Sequence, residues 1–86
     1  MVEKILNKTI HLRYFAVLRE QRGLSQETIK TKAVTAQELY EELINRYGIK
    51  FPPDLLKVAI NDEFESWDTL LKENDTLVFI PPVAGG

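Results

Sequence analysis

Thr35-Ala36-Gln37-Glu38-Leu39-Tyr40-Glu41-Glu42-Leu43-Ile44-Asn45-Arg46-Tyr47-Gly48 carries a complete helix signature. Thr35 stands at the N-cap position and Glu38 follows three residues later. That is the capping-box spacing, which satisfies two otherwise unpaired backbone N–H groups. Ala36, Leu39, Tyr40, Leu43, Ile44 and Tyr47 recur at helical spacing and make one apolar stripe. Gly48 closes the helix, because glycine accepts the left-handed angles of a C-terminal cap. The stripe reads as core, so this helix needs a sheet face to cover.

The flanking sequence supplies that sheet. Thr9–Phe15 alternates, with Ile10, Leu12 and Tyr14 on one face and His11, Arg13 and Phe15 on the other. Ala16–Arg22 reads as a short helix stopped by Gly23. Glu27–Lys32 is a second strand, rich in β-formers but with only Ile29 strongly apolar. It suits a sheet edge guarded by Lys30 and Lys32. After the main helix, Phe51-Pro52-Pro53 forms a connection that blocks further helix. Leu56–Ile60 is a third strand, with Val58 and Ile60 on one face. Asn61-Asp62 makes a hairpin turn, since both residues tolerate left-handed angles. Glu63–Glu65 returns and carries Phe64. Ser66–Lys72 is expected to form a turn with a single helical loop, its Trp67 packed at the core edge or available to a partner. Glu73-Asn74-Asp75 is a turn. Thr76–Ile80 is the last strand, with Leu77 and Phe79 opposed to Val78 and Ile80.

Strand, short helix, strand, capped helix, strand, hairpin and final strand make an α+β layer pair. The order outlines the β-grasp, or ubiquitin-like, fold: a mixed sheet, one main helix across it and a short helix after the first strand. In that fold the first and last strands run parallel at the sheet centre. Residues 1–80 form one domain and 81–86 a flexible tail.

Composition narrows the function. With 86 residues there is room for one domain. No cysteine is present, which removes disulfides, thiolate metal sites and a cysteine nucleophile. The single histidine, His11, has no second His or Cys to share a metal and reads as a solvent-facing strand residue. Glycines stand only at 23, 48, 85 and 86, so no phosphate-cradling loop can be assembled. Dispersed basic residues and a net charge of −2 argue against nucleic acid. Glu41-Glu42 and Glu63/Glu65 read as solvated faces. The apolar runs are too short to cross a bilayer, and Met-Val-Glu-Lys is no signal-peptide start. A cytoplasmic protein is expected, with no membrane partner, no metal and no cofactor of its own.

The chemistry lies in the final segment. Pro81 and Pro82 lack N–H donors, so they end the ladder and stiffen an extended run. Val83 and Ala84 follow. Gly85 and Gly86 have no Cβ, so they pass a narrow channel and take almost any backbone angle. The Gly86 carboxylate then projects on a thin stalk.

Over nearly its whole length the sequence resembles the small subunit of molybdopterin synthase, a ubiquitin-like sulfur carrier family. Leu12-Arg13-Tyr14-Phe15-Ala16, with Leu18-Arg19-Glu20 and Gly23, is similar to that family's opening. Val58-Ala59-Ile60-Asn61, Trp67-Asp68 and Asp75 resemble its second half, with Ile60 where valine is more usual. Phe79-Ile80-Pro81-Pro82-Val83-Ala84-Gly85-Gly86 resembles its terminal signature. About eight residues precede the usual start of the first strand, and no role is assigned to them.

The resemblance implies a mechanism. An ATP-dependent adenylating enzyme attaches AMP to Gly86, a sulfur donor protein displaces it, and a thiocarboxylate remains. The tail enters the large synthase subunit and gives its sulfur to a cyclic pyranopterin monophosphate. Two charged carriers serve each dithiolene, and a heterotetramer of two small and two large subunits is implied. The chain is then not an enzyme on its own. Its partner contacts are expected at Phe15, Phe64 and Ile80, apolar residues on otherwise polar faces. Three other readings compete: a thiamine-pathway sulfur carrier, a ubiquitin-like protein modifier, and a plain interaction domain with an incidental Gly-Gly.

Overall fold

The computed structural model describes residues 7–82. Its elements are β1 (Lys8–Tyr14), α1 (Ala16–Arg22), β2 (Gln26–Thr31), α2 (Ala36–Tyr47), a 3-10 turn (Pro53–Leu55), β3 (Lys57–Ile60), β4 (Glu63–Glu65) and β5 (Thr76–Ile80). The sheet order is β2-β1-β5-β3-β4. The central pair β1 and β5 is parallel, with Leu12 beside Leu77 and Tyr14 beside Phe79, and every other pairing is antiparallel. This is the β-grasp arrangement that the element order predicts. β5 ends at Ile80, and of the expected tail at 81–86 only Pro81 and Pro82 are among the described residues.

Alternation decides which sheet face is covered. Ile10, Leu12, Tyr14, Leu77 and Phe79 point inward and are buried with Leu39, Tyr40 and Leu43 of α2. Thr35 Oγ1 accepts the Glu38 N–H at 3.2 Å, and Glu38 Oε1 accepts the Val34 N–H at 2.9 Å. The capping box is therefore formed, though the glutamate reaches one residue beyond the cap. Gly48 has φ +72° and its N–H bonds the Ile44 carbonyl, as a helix-closing glycine should. Asn61 and Asp62 have φ of +53° and +73°, two left-handed residues whose twist matches the β3–β4 hairpin.

Three expectations are corrected. Phe15 is not in the first strand: β1 stops at Tyr14, and Phe15 caps α1 with Ala16 at φ +53°. That left-handed alanine swings the chain out of the sheet. Residues 66–72 hold no helical loop beyond a turn from the Thr69 N–H to the Ser66 carbonyl. Their backbone is used elsewhere, because Trp67 O accepts from the Gln37 N–H and the Leu71 N–H donates to Val34 O. The connection after Phe51 instead winds into the 3-10 turn, with Pro53 supplying its preset φ at the first position.

Candidate functional site

Pairing of β1 with β5 runs His11 to Thr76, Arg13 to Val78 and Tyr14 to Phe79. Phe15 therefore follows β1 where Ile80 ends β5, and both lie at the root of the tail. Val78 pairs with Ala59 on β3, and Ala59 pairs with Phe64 on β4. The face of the sheet away from α2 thus carries Val78, Ala59 and Phe64 in one cross-strand row beside Ile80 and Phe15. Phe15, Phe64 and Ile80 line one shallow concavity of about 270 Å³, with Arg13 and Asp62 at its polar margin. Sequence reading singled out these three residues, and the fold brings them together. Phe64 is 71% exposed and Phe15 48%, so neither completes the core.

A second concavity, about 590 Å³, shares Phe15 and Ile80 and is otherwise walled by Ala16, Val17, Phe51, Pro81 and Pro82. Val17 and Phe51 escaped the sequence reading. Nothing in a one-dimensional pattern signals that a residue 29 positions before Ile80 and another 63 before it share a wall with it. Pro81 is half-buried and Pro82 exposed, so the stiff segment leaves the body at this apolar rim. Val83, Ala84, Gly85 and Gly86 lie outside the described residues.

A polar network holds the rim in place. The Tyr14 hydroxyl donates to Glu27 Oε2 at 2.6 Å. Arg22 grips the same carboxylate with Nε at 2.9 Å and Nη2 at 2.8 Å, and its guanidinium lies 3.6 Å from the Tyr47 ring centroid. Burial, followed by the bond to Glu27, pushes the Tyr14 phenol well above its usual range. Burial alone would raise the Glu27 carboxyl, but the bonds from Arg22 and Tyr14 outweigh it and hold its pKa below the ordinary value. The clamp ties α1 to β1, β2 and α2, which fixes the Phe15-Ala16 corner. Burial also pushes Tyr40 up to about 12. Its hydroxyl donates to the Phe51 carbonyl at 2.6 Å, anchoring the other wall of the rim.

The remaining candidates are structural. His11 bonds Thr28 and Asn74 on the open face. The reading of Glu41-Glu42 as solvated holds for exposed Glu41 only. Glu42 is half-buried, accepts from Thr31 Oγ1 at 2.5 Å and pairs with Arg46 at 2.9 Å. Among the described residues no group of His, Cys, Asp and Glu is arranged to hold a metal, and no helix is long and apolar enough to cross a membrane.

Comparison with known proteins agrees with this geometry. The model of the ThiS family matches residues 12–86. A relative from Drosophila melanogaster, named molybdopterin synthase sulfur carrier subunit, is 33% identical over 81 residues, covering 90% of each chain. In a solved complex of subunits 1 and 2 of the molybdopterin-converting factor from Helicobacter pylori, one chain is 29% identical. There 91% of this chain and 99% of that one are covered, with a TM-score of 0.62. The small archaeal modifier protein 1 of Methanosarcina acetivorans shares the fold, with a TM-score of 0.74 at 22% identity over 93% of this chain and 98% of that one. The chain belongs to the ThiS family and, within it, resembles the sulfur carrier subunits of molybdopterin synthase.

Proposed function

We propose that this chain is the sulfur-carrying small subunit of a molybdopterin synthase. The observation that carries the reading is the meeting of Phe15, Phe64 and Ile80 at the root of a Pro-Pro-Val-Ala-Gly-Gly tail. Such a face docks a partner while the thin tail reaches into that partner's pocket. The names of the relatives and the two-subunit Helicobacter complex support it. The large subunit supplies the substrate pocket and the acid–base groups, so the small subunit does not catalyse alone.

A carboxylate is a poor electrophile. A separate adenylating enzyme overcomes this by joining the Gly86 carboxylate oxygen to the α-phosphorus of ATP, with pyrophosphate leaving. A sulfide-level nucleophile from the donor protein then attacks the acyl carbon and AMP departs, leaving the thiocarboxylate. Its anionic sulfur attacks a carbon of the pyranopterin substrate held by the large subunit, forming a C–S bond as the C–O bond at that carbon breaks and its oxygen leaves. Water cleaves the acyl–sulfur bond and restores the Gly86 carboxylate. Tethering gives the sulfur a high effective concentration. ATP is bound by the adenylating enzyme, and this chain carries no cofactor.

Intact-mass measurement tests the reading. The protein is incubated with the adenylating enzyme, ATP and a sulfur donor. The expected result is a gain equal to replacing one oxygen by sulfur, confined to the C-terminal peptide and abolished by deleting Gly85-Gly86. No gain with active partners would refute it. Transfer of the activated tail to lysines of other proteins would instead assign a modifier.

A further inference from the structure

Trp67 is the only tryptophan of the chain. It stacks on Phe79, with centroids 5.7 Å apart and planes 14° from parallel, and Tyr40 meets it edge-on at 5.7 Å. The indole is thus fixed where α2, the 3-10 turn and the β4 edge converge. To one side lies a notch of about 220 Å³ walled by Tyr40, Ile44, Pro53 and Trp67, with Glu41 and Asp54 also on its lining beside Gln37, whose Nε2 donates to Glu41 Oε2 at 3.4 Å. To the other side, a groove lined by Leu56, Val58, Phe64 and Trp67, with Lys57 and Glu65 of opposite charge also on its lining, leads toward the open sheet face. Trp67 and Phe64 therefore make the notch continuous with the apolar face at the tail root. Glu41 and Asp54 are both exposed, and neither forms an ion pair among the described residues.

We propose that this notch receives an arginine or lysine side chain of the large synthase subunit, reaching round the β4 edge from the docked sheet face. The inference rests on the docking reading above. The notch is smaller than the ~300–1,000 Å³ of ordinary small-molecule sites, which suits a single side chain. Its apolar walls cover an aliphatic stem, the indole accepts a cation, and the two carboxylates take the charged head. Complementary charge and continuity with the sheet face both favour a basic side chain from the same partner.

The test uses the full chain and the purified large subunit. Affinity is measured by calorimetry at low and high salt, and the Trp67 indole resonance is followed in 15N-labelled protein. The double variant Glu41→Gln/Asp54→Asn is expected to bind about tenfold more weakly at low salt. Its salt dependence should flatten while its melting temperature stays unchanged. Glu41→Lys/Asp54→Lys should weaken binding further, and the wild-type indole resonance should move on binding. Affinity of the double variant within about twofold of wild type, or an unmoved indole, overturns the proposal. Phe64→Ala separates the two readings. If it weakens binding and the double variant does not, the notch alone is wrong. If neither weakens binding, docking on the sheet face is wrong as well.

Discussion

Phe64→Ala should separate docking from folding, and its size can be worked from exposure. Full burial of a phenylalanine side chain stabilises by about 1.5–3 kcal/mol. Phe64 is 71% exposed, so only the remaining 29% supports the fold. Truncation should therefore cost the free protein about 0.4–0.9 kcal/mol. Covering the exposed share under a partner adds about 1–2 kcal/mol, so the variant should bind the large subunit about 5–30-fold more weakly. Phe79→Ala is the counterweight. Phe79 is 0% exposed and stacks with Trp67 and Tyr40, so its loss should remove about 3–5 kcal/mol of stability. Urea unfolding of both variants, with calorimetric titration of Phe64→Ala against the large subunit, makes the comparison. The reasoning fails if Phe64→Ala loses more than about 2 kcal/mol of folding stability, or if it binds as wild type does.

Three further outcomes are expected. Ala16→Gly should stabilise the fold by about 0.5–1 kcal/mol, because relief of the left-handed alanine at φ +53° exceeds the added unfolded-state entropy; an unchanged or lower midpoint in thermal unfolding contradicts this. Glu27 has a depressed folded pKa, so its contribution is complete above the ordinary glutamate value of about 4.3 and is lost as pH falls through the folded value. Wild type should therefore lose stability in that acid window while Glu27→Gln, weaker at neutral pH, loses less; parallel curves would show that the Arg22–Glu27–Tyr14 clamp contributes nothing there. Asp75→Ala should cost about 2–3 kcal/mol in urea unfolding, since this 7%-exposed carboxylate accepts from Asn61 Nδ2 at 2.9 Å and the Lys72 N–H at 2.8 Å. A loss below about 1 kcal/mol would mean that water replaces both bonds.

The periodic elements were legible because one face of each is buried. Ile10, Leu12 and Tyr14 at period two, and Leu39, Tyr40 and Leu43 at helical period, are core in the structure for the reason they stand out in the sequence. The hairpin at Asn61-Asp62 and the caps at Thr35 and Gly48 were legible because turn chemistry is local. What escaped is non-local. Tyr14 reads as one more inward residue, and nothing in its neighbours announces the carboxylate 13 positions away that receives its hydroxyl. The 66–72 segment looked like a helical loop because its bonds to Gln37 and Val34 lie outside any short window. Ala16 offered no sign of its left-handed angle, a conformation usually left to glycine or asparagine. The apolar face was legible in part. Phe15 and Phe64 read in the sequence as apolar residues on otherwise polar faces, but Val17 and Phe51 join the rim only through tertiary packing.

The parallel pairing of β1 with β5 has a consequence for the birth of the molecule. His11 and Thr76 are 65 positions apart, yet they pair at the centre of the sheet. A nascent chain that has not yet made β5 lacks the middle of its sheet, and with it Leu77 and Phe79 from the core. Such a fragment cannot close its sheet. β5 runs directly into Pro81 and Pro82, so the strand that completes the core also sets where the chain leaves it. Closing so distant a pair limits the rate of folding more than the final stability. A chain that stops before β5 therefore lacks the strand that joins the two halves of its sheet, and it fails to fold rather than folding into a smaller body.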